Sequence, residues 1–265
     1  MKVAISQFAA SSTISENTAH IVADAQRANE DGATLMVCPE AAMIRLPDKH
    51  ESLVGKVESP EGSFGQGLAQ ASARTGVTIV AGAFTPADNT KVKNTLFVAS
   101  GGEIVATYDK IHLYDAFSDK ESDKVIPGPP KPITVDIEGV RIGLATCYDL
   151  RFPEIFRVLA DEGSLIVTIP TAWVKGPYKE EHWLTLLRAR AIENSFFVIG
   201  SGEAGQRSIG RSAAFDPMGS QLADLGAGNS FAVIDIDTDK VAQTRSVNPS
   251  LQNRRFEVIP RRDHD

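Results

Sequence analysis

Val140-Arg-Ile-Gly-Leu-Ala-Thr-Cys147-Tyr-Asp-Leu-Arg-Phe-Pro-Glu154 decides the fold class. Its first half is an apolar run that reads as a buried strand, and it stops at a cysteine. Pro153 and Glu154 then suit the first turn of a helix, where the donor that proline lacks would be unpaired anyway. A thiol at such a strand-to-helix junction is expected at the lip of a sheet, exposed and near the positive end of a helix. That field favours thiolate, the nucleophilic form. A free cysteine is also commonly a small buried hydrophobe, and this stretch alone leaves the two readings open.

Working outward, the same alternation of strand and helix recurs on both sides. Residues 2–8 form a short apolar strand. Thr13-Ile-Ser-Glu16 has the pattern of a capping box opening a helix that closes near Gly32. Residues 34–40 are a second buried strand, ended by Pro39. A helix over 61–75, a strand over 77–84 and a hairpin of strands 94–99 and 104–108 turning at Gly101-Gly102 complete the first half. After a charged, Pro-rich loop at 116–132 the order repeats. It runs through a strand at 141–146, a helix from Pro153 to about Ala160, a strand at 165–170, a helix at 180–194, and strands at 196–200, 211–215 and 231–236. The halves share a plan without evident sequence identity, so this is not a solenoid repeat. Two like halves can pack their sheets face to face with helices outside, a four-layer α-β-β-α sandwich. The expected division is a domain over 1–247 and a tail over 248–265 with no core of its own, free or packed on a partner subunit.

The 265 residues carry 42% hydrophobic side chains and a net charge of −7. That balance argues against nucleic acid or anionic membrane as the main partner. No apolar run is long enough to span a bilayer, and the N-terminus reads as a first strand rather than a signal peptide. Two cysteines, Cys38 and Cys147, are too few for a disulfide scaffold and fit a reduced, cytoplasmic setting. The five histidines are scattered and form no ligand cluster, so no metal is expected. Gly200-Ser-Gly-Glu-Ala-Gly205 fits a dinucleotide fingerprint, but no amphipathic helix follows to receive a pyrophosphate. It reads as a turn.

Three apolar strands end in reactive groups of three kinds: Glu40, Lys110 and Cys147. Acyl transfer needs such parts, a nucleophile, a base and a cation where an oxyanion develops. Taken singly, Glu40 and Lys110 also read as surface charge. In Arg188, Arg190 and Glu193, the Arg190–Glu193 pair at i,i+3 reads as helix or interface support. His112 and His182 read as structural. Trp173 is a pocket wall or a core residue.

Cys38-Pro-Glu40, Asp109-Lys-Ile-His-Leu113 and the Cys147 block resemble the three signature blocks of the nitrilase superfamily, the carbon–nitrogen hydrolases. Leu187-Arg-Ala-Arg-Ala-Ile-Glu-Asn194 and Gly210-Arg-Ser-Ala-Ala-Phe-Asp-Pro-Met-Gly219 resemble its later blocks. The resemblance implies an α-β-β-α sandwich without cofactor and a Glu-Lys-Cys triad acting on non-peptide amide or nitrile bonds. Cys147 is then the nucleophile, Glu40 the general base, titrating near neutrality through partial burial, and Lys110 the oxyanion's cation, with the Tyr148 backbone amide as second donor. Glu121 matches a second glutamate near the family's site. Cys-Tyr-Asp-x-Arg-Phe-Pro-Glu resembles the amidase branches close to ω-amidases and deaminated-glutathione amidases. These imply a small amide bearing a carboxylate, with Arg151 as a candidate to bind it, and a homodimer. N-carbamoyl hydrolysis, nitrile hydrolysis and a catalytically silent scaffold stand as alternatives. Loops at 45–60, 116–132 and 173–179 are expected to shape the pocket.

Overall fold

The computed structural model describes residues 1–46, 51–117 and 119–261. In chain order it contains β1 (Lys2–Gln7), α1 (Ile14–Glu30), β2 (Leu35–Val37), α2 (Ser63–Thr75), β3 (Thr78–Pro86), β4 (Val92–Ser100) and β5 (Glu103–Asp109). There follow β6 (Ile133–Ile137), β7 (Val140–Leu144), α3 (Pro153–Asp161), β8 (Ile166–Thr171), α4 (Lys179–Asn194), β9 (Phe197–Gly202), β10 (Ala213–Phe215), β11 (Gln221–Asp224), β12 (Ser230–Asp235) and α5 (Asp239–Val247). Among the described residues these make two six-stranded sheets, ordered β12-β1-β2-β3-β4-β5 and β11-β10-β9-β8-β7-β6. In each, three consecutive parallel strands are flanked by antiparallel neighbours: β1, β2 and β3 in one, β7, β8 and β9 in the other. The last strand, β12, returns to pair with β1.

Alternation along the strands explains the layering, because successive side chains point to opposite faces. Val3, Ile5, Leu35, Val37, Val80, Leu96 and Val98 join a core that includes Ile142, Leu144, Val167 and Val198 of the other sheet. Their neighbours Ala4, Met36, Ile79, Ala81, Phe97 and Ala99 instead pack with Ile21, Ala25 and Ala28 of α1 and Phe64, Leu68 and Ala71 of α2. A sheet apolar on both faces must be covered on both, by the second sheet inside and helices outside. On the far side α3 and α4 supply Phe156, Leu159, Trp183, Leu187 and Ala191. The result is the four-layer α-β-β-α sandwich.

Several local expectations change. Thr13 makes no side-chain cap; the α1 entrance is tied instead by Asn17, whose amide bonds Ser11 and the Met43 carbonyl. β2 stops at Val37, before Pro39. Strands β6 and β11 and helix α5 were not anticipated. In the polar stretch 45–60, which reads as a loop, Leu53 is buried. Of the loops expected at the pocket, 47–50 and Ser118 lie outside the described residues, as does the end of the tail, 262–265. Of the tail's described part, Arg254 pairs with Asp161, while Phe256 and Ile259 are exposed.

Two glycines fix the backbone under the site. A Cβ on Gly82 of β3 would stand 1.9 Å from the carbonyl oxygen of Glu40, and one on Gly128 would stand 2.2 Å from that of Asp109. Both chains therefore approach more closely than any side chain permits.

Candidate active site

Glu40, Lys110 and Cys147 follow β2, β5 and β7 and line one cavity of about 330 Å³. Glu40 is 3% exposed. Its Oε1 accepts hydrogen bonds from Lys110 Nζ (2.9 Å) and Asn94 Nδ2 (2.8 Å), and its Oε2 accepts from the Ala172 backbone N–H (2.8 Å). Burial alone would raise this carboxyl, but the Lys110 charge and the three hydrogen bonds outweigh it and hold the pKa below its usual value. The expected upward shift is thus corrected: Glu40 is ionised at neutral pH.

Lys110 is 2% exposed and is clamped between two carboxylates, with Glu121 Oε2 at 2.8 Å on its other side. Burial disfavours its charge, yet Glu121 and Glu40 prevail and push the ammonium well above its ordinary range. Glu121 also accepts from the Tyr114 backbone N–H (2.6 Å) and from Asn94 Nδ2 (3.1 Å). Its carboxylate is therefore built into the cluster rather than solvated on a loop.

Cys147 opens a five-residue 3-10 turn, Cys147–Arg151, and α3 begins only at Pro153. The thiol is 8% exposed, not at an open lip. Burial first, and then the charge of Glu40, push its pKa up, with Lys110 opposing them in part. The helix-end field expected to favour thiolate is outweighed, so the resting group is a neutral thiol beside an ionised carboxylate. The backbone of Cys147 has φ +46, a left-handed conformation costing of order 1–3 kcal/mol for a residue with a side chain. The turn is held in that shape by buried Arg190, whose Nε and Nη2 donate to the Leu150 carbonyl at 3.1 and 2.9 Å while Nη1 pairs with Glu193. Both cysteines are free, and Cys38 is fully buried behind β2.

Tyr148 and Trp173 line the cavity, and Trp173 Nε1 donates to the Lys179 carbonyl at 2.9 Å. Arg151 stands behind that wall, its guanidinium 4.8 Å from a Trp173 ring centroid. Its Nε and Nη2 have no hydrogen-bond partner among the described residues. Lys179 escaped the sequence reading. Its ammonium donates to Tyr114 Oη at 2.7 Å and lies 4.1 Å from the Phe117 ring centroid. Burial and then repulsion from Arg151 lower its pKa. Asn94 and Ala172 also escaped it. A polar residue at the third position of an apolar strand was a signal for Asn94, whereas a backbone N–H leaves none. Neither His112 nor His182 lines the cavity. After Gly202 no helix follows, and Gly200 and Gly202 serve packing: Cβ atoms there would meet Trp183 and the Gly210 backbone.

That glycine stretch does carry one charged group of consequence. Glu203 is buried near Glu40, and desolvation followed by the Glu40 charge pushes its pKa up to about 7. A carboxyl raised on folding is neutral in the native state and ionised in the unfolded one above its ordinary value. Stability is therefore greatest below that value and declines as pH rises toward 7. Glu203→Gln is expected to gain roughly 1–3 kcal/mol at pH 8 and little at pH 4. Urea unfolding at the two pH values checks this, and an equal effect at both would contradict it.

A thiol, a carboxylate poised to receive its proton and a fixed ammonium are the parts of a cysteine-dependent acyl-transfer site. The carbon–nitrogen hydrolase family profile matches residues 2–246. Deaminated glutathione amidase of Escherichia coli O157:H7 is 37% identical over 256 residues, covering 97% of this chain and 98% of that protein. The Synechocystis protein of the same name is 33% identical over 251 residues, covering 86% and 91%. An amidase from Nesterenkonia sp. superposes with a TM-score of 0.81 at 26% identity, covering 96% of this chain and 93% of that one. A variant of that amidase carries acrylamide added to its active-site cysteine. The chain belongs to the carbon–nitrogen hydrolase family, within the nitrilase superfamily. It is an enzyme acting on amide bonds by way of a cysteine. Among the described residues no helix is long and apolar enough to cross a membrane, and no cluster of His, Cys, Asp and Glu could hold a metal.

Proposed function

We propose that Cys147, Glu40 and Lys110 form the catalytic triad and cleave the amide of a small, carboxylate-bearing substrate through a thioester. In this mechanism Cys147 Sγ attacks the amide carbon as its proton passes to Glu40. The oxyanion is met by the Lys110 ammonium and the Tyr148 backbone N–H. The protonated Glu40 then gives its proton to the departing amine, and ammonia leaves. Glu40, ionised again, takes a proton from water as the water attacks the thioester; the tetrahedral adduct collapses, and the released thiolate recovers that proton. Glu121 orients Lys110 and keeps its charge on. The reading is carried by one observation: a neutral thiol beside a buried carboxylate that Lys110, Asn94 and Ala172 N–H keep ionised and fixed. Such a base takes a proton only as the sulfur becomes nucleophilic, which suits general-base catalysis rather than a preformed thiolate.

Two cations support the carboxylate. Lys179 and Arg151 repel one another across aromatic walls; Asp119, which lines the same cavity, is a lesser influence on Lys179, and among the described residues neither cation forms an ion pair with a carboxylate. An anionic substrate end would relieve that repulsion. Two relatives of this chain carry the name deaminated glutathione amidase. The test is a panel of amides with and without a distal carboxylate, together with carbamoyl compounds and nitriles, read by ammonia release. Carboxylated amides should lead in kcat/KM, and Cys147→Ala should abolish turnover of all of them. Preference for carbamoyl compounds would move the enzyme to the neighbouring activity. We place the protein in a reducing cytoplasm, as a homodimer joined in part by the exposed tail side chains Phe256 and Ile259. A monomer in sedimentation equilibrium would overturn the dimer.

A further inference from the structure

The residues flanking Lys110 and those flanking Cys147 converge on one carboxylate, that of Asp149. It is the third residue of the Cys147 turn and is 0% exposed. Oδ2 accepts from the Tyr108 hydroxyl (2.7 Å) and the Thr146 backbone N–H (2.9 Å). Oδ1 accepts from the His112 backbone N–H (3.0 Å) and contacts His112 Nδ1 at 2.8 Å. Tyr108 and His112 stand two residues before and two after Lys110. Thr146 immediately precedes Cys147. The two segments belong to different sheets, since Lys110 follows β5 and Cys147 follows β7.

We propose that Asp149 is a positioning residue that sets the separation of the Lys110 ammonium from the Cys147 sulfur across the gap between the sheets. The inference rests on the roles assigned above to Lys110 and Cys147. Asp149 is not among the largest electrostatic influences on those groups: those on the thiol are burial, Glu40 and Lys110, and those on the ammonium are burial, Glu121, Glu40 and Cys147. Its leverage is geometric. A buried carboxylate is strongly disfavoured unless its lone pairs are filled, so these four contacts must persist together. His112 is further locked by stacking on Phe152, the residue that ends the turn, with ring centroids 3.7 Å apart and planes 7° from parallel. The bridge thus holds both ends of the turn to the Lys110 segment. It also fixes the left-handed backbone at Cys147, because the Thr146 N–H that Asp149 captures lies directly before it.

Asp149→Asn keeps the shape but turns one oxygen into a donor facing donors, so one end of the bridge opens. A displacement of about 1 Å between reacting groups costs on the order of 10²-fold in rate. The expected result is a fall in kcat of about that size with KM within threefold, since the cavity walls are untouched. The second variant, Tyr108→Phe, removes one hydroxyl and leaves the remaining contacts, and kcat should fall about 10-fold by the same reasoning, again at constant KM. A residue that merely supported the fold would lower the amount of active enzyme. Titrating active sites by the acyl-enzyme burst separates this from a slower kcat per site. Full kcat per titrated site in both variants, or a loss confined to KM, overturns the proposal. Should Asp149→Asn fail to fold, Tyr108→Phe decides: unchanged kcat overturns and a reduced kcat at constant KM supports. Failure of the underlying triad reading would appear separately, as turnover by Cys147→Ala.

Discussion

Glu40→Gln is expected to fold normally, to lose hydrolysis by about 10²–10⁴-fold, and yet to carry a more easily ionised thiol. The loss belongs near the top of that range because, in the proposed mechanism, one carboxylate serves both the acylation and the hydrolysis of the thioester. Folding should survive because Lys110 retains Glu121 at 2.8 Å and the glutamine carbonyl still offers an acceptor. The thiol responds in the opposite sense to catalysis. After burial, the Glu40 charge is the largest influence raising the Cys147 pKa, while Lys110 opposes it. Removing the anion leaves the cation, so the pKa falls and iodoacetamide should alkylate Cys147 faster than in the unaltered enzyme at the same alkaline pH. Alkylation followed by mass spectrometry, beside ammonia release, checks both halves. Slower alkylation of the inactive variant would show that Glu40 does not hold the thiol neutral. In the unaltered enzyme the acid limb of kcat/KM should lie below the usual carboxylate range, because the base remains ionised until pH falls through its depressed pKa.

Lys110→Met is expected to damage both stability and turnover. It leaves Glu40 and Glu121 facing one another with Asn94 Nδ2 as their shared donor. Removing one partner from a buried ion pair costs about 3–5 kcal/mol, because the remaining charge has neither water nor counterion. Loss of the proposed oxyanion donor adds a fall in kcat of about 10²–10³-fold. The stability deficit should depend on pH. Without the ammonium the folded-state pKa values of the two carboxyls rise above their unfolded values. The deficit is then largest near neutrality and shrinks as pH falls and a proton takes the place of the cation. Denaturant unfolding at pH 7.5 and pH 5 measures it, and a deficit identical at both would rule out the stranded carboxylates as its cause.

Most of the fold was legible because both faces of its central strands are apolar, giving uninterrupted runs such as that of β3 that only a covered sheet can use. What escaped shows the limits of pattern. Helix α5 buries only Val241 and Thr244 among nine residues, so its apolar face is too sparse to read as a stripe. Strand β6 alternates correctly, Ile-Thr-Val-Asp-Ile, but follows a Pro-rich loop and buries fully only Ile137. At the site, Glu40, Lys110 and Cys147 could be named, and their juxtaposition is a matter of family-like blocks in order. Their protonation could not be read. Whether a buried carboxyl rises or falls depends on the balance of desolvation against partners, and those of Glu40 come from three distant segments at 94, 110 and 172. The same holds for Cys147, where local helix-end reasoning has the sign wrong because burial of the thiol, and after it the charge of Glu40, are invisible from its neighbours in sequence. Lys179 was overlooked because a lysine at the start of a helix is ordinarily solvated; only the fold surrounds it with rings.

The two close approaches under the site have a consequence for how variants of this enzyme should be interpreted. Gly82 and Gly128 are not among the residues lining the cavity, yet each forms the bed on which the chain carrying Glu40 or Lys110 rests. Even alanine at either place must lift that chain by an ångström or more, since neither backbone oxygen can swing aside as a flexible side chain would. A genetic screen for inactive alleles should therefore recover these two silent positions beside the three reactive ones, in protein that is still made and still binds substrate.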